Sequence, residues 1–154
     1  MKRDAGGTVV IGSTEANIEF GYPEHAADGS GSRIPLRIAA SGLDVQTMVD
    51  IESWSGGTKS LVDYFGDLSA AWRGWSGPRD WNDDGPNVSM SATHDGVGLV
   101  KLEVRAGSHS GWLGEGSWTV TVRVPIEHGA LTMVATQLEA LLAPRPNQTL
   151  GDRT

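Results

Sequence analysis

The chain has 154 residues, no cysteine, 21 glycines and a formal net charge of −7. That length sets one domain as the expectation, large enough to fold without a disulfide or a structural metal. The missing cysteines exclude a disulfide framework, a thiol nucleophile and any zinc site with cysteine ligands. The 19 acidic against 12 basic residues argue against a nucleic-acid partner, because phosphate contacts need clustered Lys and Arg.

In chain order, the first predicted strand is short and covers residues 8–11. Its apolar stretch is too brief for the core of a secretory leader. No later run is long enough to cross a membrane, so the expected address is the cytoplasm, with no membrane partner. Ile18, Phe20 and Tyr22 then alternate with Glu19 and Gly21. Leu36, Ile38 and Ala40 alternate with Arg37 and Ala39, and Val45, Thr47, Val49 and Ile51 with Gln46, Met48, Asp50 and Glu52. Period two predicts strands. Residues 23–33, with Gly29, Ser30, Gly31 and Ser32, read as a flexible loop.

Over residues 58–72 the period changes. Leu61, Phe65, Leu68 and Trp72 fall on one helical face and Asp63 and Asp67 on another, with Gly74 placed to stop the helix. Trp72 is therefore expected in the core.

Three clear strands follow. Val88, Met90 and Ala92 form the first apolar row, Val100, Leu102 and Val104 the second, and Trp118, Val120, Val122 and Val124 the third. His94-Asp95-Gly96 joins the first two as a hairpin signal. The glycine-rich residues 106–117 read as a long loop, and Pro125 is expected to end the last strand. A second helix is predicted over residues 128–142 from the stripe Leu131, Val134, Ala135, Leu138, Leu141 and Leu142, stopped by Pro144.

The expected fold is α+β: a largely antiparallel meander of about seven strands with two helices packed on one face. The opposite face would carry Ser89, Ser91, Lys101, Glu103, Arg105, Thr119, Thr121 and Arg123. Residues 1–143 form the expected domain, and residues 144–154 a flexible tail.

Catalytic motifs are missing. Neither Gly74-Trp75-Ser76-Gly77-Pro78 nor Gly107-Ser108-His109-Ser110-Gly111 satisfies G-x-S-x-G. Gly29-Ser30-Gly31 and Gly96-Val97-Gly98 lack the rest of a phosphate loop, and the four histidines show no i, i+4 pair. No catalytic residue, cofactor or metal site is assigned. A hydrolase built on His94, Asp95 and His109 is the least favoured alternative. One near-motif is Asp80-Trp81-Asn82-Asp83-Asp84-Gly85, which reproduces the opening of a calcium loop with Asp80, Asn82 and Asp84 as candidate ligands. The twelfth position should be a bidentate Glu and is Ser91, so turn chemistry is the favoured reading of the run and calcium the lesser alternative.

Six of the ten aromatic residues are Trp. Trp118 and Trp72 are expected inside. Trp75 and Trp81 flank a Gly-Pro turn and either anchor a partner or cover the core edge. Trp112, in the glycine-rich loop, is the candidate for exposure. The acid is also uneven. Between positions 44 and 84 stand eight acidic and three basic residues, a local balance of −5.

Tyr64-Phe65-Gly66-Asp67-Leu68, Trp72-Arg73-Gly74-Trp75, Arg79-Asp80-Trp81, Ala92-Thr93-His94-Asp95-Gly96 and Trp118 together resemble a family of small uncharacterised bacterial proteins of unknown function. The resemblance covers about residues 12–142. It departs at Glu127-His128-Gly129-Ala130, where the family's usual form is Pro-Gly-Glu. The layout is also similar to wall-associated-protein-type immunity proteins of polymorphic toxin systems.

Two functions are therefore expected as alternatives. The first is a non-enzymatic interaction module of immunity or antitoxin type that binds a basic toxin domain. Asp63, Asp67, Asp80, Asp83 and Asp84 would steer the partner, and Trp75, Trp81 and Trp112 would anchor it. The second is a carbohydrate- or small-ligand-binding domain that uses loop tryptophans as stacking platforms.

Overall fold

The computed structural model describes residues 7–52, 57–85, 87–108 and 115–143. Trp112, His109 and the expected tail lie outside these residues. The chain opens with strands β1 (Val9–Gly12), β2 (Ala16–Phe20), β3 (Glu24–His25), β4 (Gly31–Ala40) and β5 (Leu43–Glu52). Helix α1 (Lys59–Ala70) leads to β6 (Arg79–Asn82), β7 (Val88–His94), β8 (Leu99–Ser108) and β9 (Trp118–Glu127). A 3-10 turn (His128–Ala130) then enters helix α2 (Leu131–Leu142).

The α+β class holds, and among the described residues every strand pairing is antiparallel. The strands divide into two sheets. In the first, β1 pairs with β2 and β2 with β4, while β5 runs along the other edge of β4. The short β3 shares an edge of β4 with β2, because Arg33 and Ser32 face Glu24 and His25 on one side and Asp50 and Ile51 on the other. The second sheet is the meander β6-β7-β8-β9.

Among the described residues nine strands replace the seven read from alternation. The two extra ones, β3 and β6, are two and four residues long, too short to show a period. The second sheet continues past Pro125. His128 N–H bonds Gly98 O at 2.8 Å, and ladder alternation then turns the nitrogen of Pro125 to the outer edge of β9, where no N–H is required.

Each sheet buries one face. Ile11, Ile18 and Ile38 form one cross-strand row, Val9, Phe20 and Leu36 the next, and Ile34 and Val49 a third. The second sheet contributes Trp81, Met90, Val104 and Val122, then Ala92, Leu102 and Val124. Leu61, Tyr64, Phe65 and Leu68 of α1 and Leu131, Val134, Leu138, Leu141 and Leu142 of α2 enter the same hydrophobic cluster. Phe65 meets Phe20 edge-on at 6.5 Å. The polar face expected for the second sheet is observed: Lys101, Glu103, Arg105, Thr119, Thr121 and Arg123 are exposed and Ser89 and Ser91 half-buried.

Trp72 corrects the sequence reading. It is 66% exposed. Helix α1 ends at Ala70, and Ala71 leaves helical geometry at φ −87°, ψ 54°. The i+11 position is therefore no longer on the apolar face.

Candidate functional site

The acidic segment splits in two. Asp83 is only 8% exposed. Its Oδ2 accepts the Asp50 N–H at 3.0 Å and its Oδ1 the Val88 N–H at 3.3 Å. Asp84 Oδ2 accepts the Glu52 N–H at 2.8 Å, and the Asp84 N–H bonds Asp50 O at 2.8 Å. Asn87 Nδ2 donates to Met48 O and Asp50 Oδ2, each at 3.1 Å. These bonds cover the outer edge of β5 and join the two sheets, a use of polar side chains that blunts an edge strand. Burial pushes the Asp83 carboxyl above its ordinary value, against the backbone N–H bonds that favour its charged form.

Asp83 is thus a buried structural acceptor and cannot meet a partner at the surface. Trp81 is also removed from the expected anchors. It stands opposite Met90 on the inner face and is 9% exposed. The calcium reading changes for a related reason. Asp80 and Asn82 lie on a β-strand, and the Asp84 carboxylate bonds a backbone N–H. Among the described residues no three His, Cys, Asp or Glu side chains converge to hold a metal ion.

Two more acids of the segment are paired on the outer face of the first sheet. Arg37 Nε bonds Asp44 at 2.8 Å and holds its carboxyl below the ordinary value. Arg33 bonds Asp50 at 3.2 Å. Of the remaining acids, Glu52 ends β5, and Asp63, Asp67 and Asp80 sit around α1. Asp63 and Asp67 are one turn apart on its exposed side, with Lys59 on Asp63 at 2.8 Å. Asp80 is exposed on β6. It lies close to α1 through Tyr64, whose hydroxyl donates to Arg79 O at 2.8 Å. Burial, and then the Asp80 charge, push the Tyr64 hydroxyl up. Asp67 and Asp80 make no ion pair among the described residues.

The aromatic groups gather where α1 ends. The Arg73 guanidinium lies 4.7 Å over the Trp72 ring, and Arg79 4.8 Å over Trp75. Trp75 is half-buried, and its indole N–H donates to Ala92 O at 3.1 Å. Its ring meets His94 edge-on at 5.0 Å and His128 at 6.4 Å, and the two imidazoles are 5.4 Å apart. Gly74 makes this packing possible. It has φ +94°, and a Cβ there would lie 2.7 Å from His94 Nδ1.

His94 Nδ1 accepts the Gly96 N–H at 2.9 Å, and His128 Nε2 bonds Leu68 O at 2.8 Å. Asp95 Oδ1 accepts the N–H groups of Val97 and Leu99, which hold its carboxyl below the ordinary value. Its carboxylate therefore supports the turn and makes no hydrogen bond to the imidazole of His94.

Sequence reading placed Trp75 and His94 but missed their contact with His128, which comes from a different strand end and has no local spacing signal. It also missed His25 Nδ1, 2.7 Å from Ser32 Oγ across the β3–β4 pair. That pair is exposed, and no carboxylate bonds the ring among the described residues.

Fold and surface together define an antiparallel α+β domain with tryptophan and unpaired acid at one helix end. Residues 9–145 match a family of unknown function, DUF6228, and the chain belongs to that family. No curated protein matches it. Among the described residues no helix is long and apolar enough to cross a membrane.

Proposed function

We propose that this chain is a non-enzymatic protein-interaction module of immunity type that acts in the cytoplasm and binds a basic protein domain of the kind a toxin carries. The observation that supports this reading most is Trp72, 66% exposed beside Arg73 at the end of the helix that carries Asp63 and Asp67. An exposed aromatic just past a helix whose last turn carries the unpaired Asp67 has the composition of an interface anchor with charge steering beside it. Asp80 adds to the same flank. Asp83, Asp84 and Trp81 serve the fold and leave the partner set, and Trp72 enters it. Trp75 stays at the margin, since its N–H and much of its ring are already engaged.

The test is co-purification from the native host at low salt. A basic protein is expected to be retained, and to be lost with Asp67→Lys plus Asp80→Lys or with Trp72→Ser, at unchanged thermal midpoint. If no basic protein is retained, or the reversals leave retention intact, the reading fails.

A further inference from the structure

Strand β1 is an edge of the first sheet and among the described residues pairs with β2 alone. Two bonds set the phase of its ladder. Ser13 N–H bonds Ala16 O and Gly21 N–H bonds Pro35 O, both at 2.9 Å. Alternation then directs the peptide groups of Val9 and Ile11 to β2 and turns the N–H and C=O of Val10 outward. The other edges differ. The β5 edge is covered by Asp83, Asp84 and Asn87, and β9 carries Pro125 with its nitrogen on the outer side. β1 contains neither proline nor charge. Beside it runs a groove of about 490 Å³ between β1, the end of β9 and α2. Ile11, Ile126 and Val134 line its buried side, and Val10 and Met133, 53% and 65% exposed, form its rim. Glu127 is the one charged side chain among the described lining residues, and it makes no ion pair among them.

We infer that this groove takes an extended segment of a partner protein, which adds to β1 as a further strand. The segment sets alternate apolar side chains between Val10 and Met133 and brings a Lys or Arg to Glu127. Charge favours this occupant over a second copy, because two chains of −7 repel. The inference rests on the proposed function only for the basic character of the partner.

The probe is a fluorescein-labelled six-residue peptide, lysine followed by alternating valine and threonine, titrated into the full chain at low salt and read by anisotropy. Saturable binding is expected, with amide shifts at Val10. N-methylation of alternate peptide amides, which removes strand pairing and keeps the side chains, should weaken it about tenfold. Glu127→Gln should weaken it about threefold. Equal binding of methylated and unmodified peptide, or none up to about 1 mM, overturns the inference. So does a dimer that the peptide dissociates, since the occupant is then a second copy. Trp72→Ser and Asp67→Lys should leave probe affinity unchanged. Retention that survives these substitutions, or no retention by the unaltered chain, with probe binding intact thus counts against the α1 surface alone, and retention lost on substitution without any probe binding counts against the groove alone.

Discussion

Asp80 and Asp83 are three positions apart and have opposite environments. Asp80 projects from β6 into solvent beside α1. Asp83 is buried between the sheets with two backbone N–H groups on its carboxylate. A run of acid that looks like one patch along the chain is therefore two things in space. One part closes an edge strand and holds two sheets together; another, around α1, stays exposed at the surface. The lesson is that local charge density predicts a surface only where the backbone nearby has no unmet donors.

The largest test of this difference removes the clamp. Asp83→Ala with Asp84→Ala leaves the N–H groups of Asp50, Glu52 and Val88 without these acceptors. It should cost about 3–4 kcal/mol in urea unfolding, most of it from the buried carboxylate. Asn87→Ala removes the donor to Met48 O and Asp50 Oδ2, with an expected cost of about 1–2 kcal/mol in the same measurement.

A carboxyl-selective NMR titration separates the environments by sign. Asp83, raised chiefly by burial, should titrate above the ordinary carboxylate value, and Asp44, lowered chiefly by its Arg37 hydrogen bond, below it. A raised carboxyl favours the fold at pH below its unfolded value, and that contribution is lost as pH rises through the folded one. Asp44 contributes above its unfolded value and loses this as pH falls through its folded one. The smallest expected effect is at α1, where Asp67→Asn should change stability by less than about 0.5 kcal/mol while weakening partner retention.

Much of the fold was legible in the sequence. Period two in Val88–His94 and over residues 100–104 and 118–124 marks half-buried strands that keep their polar side outward. The spacing of Leu61, Phe65 and Leu68 marks a helix whose apolar face is buried as expected. The division into two sheets was not legible, because it depends on which strand edges meet, and alternation says only which face is apolar. Trp72 was misplaced because helical spacing was extended two residues beyond a backbone that turns at Ala71. Asp83 and Trp81 were misplaced for a common reason. Their burial is set by the approach of β5 and by pairing with β7, contacts between segments distant in sequence. The acid, the absence of catalytic motifs and the family resemblance were readable directly, while the groove beside β1 needed three separate elements in place.

The most direct test of the divided acidic segment is a matched pair of urea unfolding curves for Asp80→Asn and Asp83→Asn. Both substitutions remove one carboxylate and keep nearly the same volume. Asp80→Asn should leave the midpoint unchanged within about 0.5 kcal/mol, whereas Asp83→Asn should lose about 2 kcal/mol, because its amide group turns a donor toward an N–H that needs an acceptor. Equal losses for the two variants, or a larger loss for Asp80→Asn, would contradict the assignment of one carboxylate to the fold and the other to the exposed surface.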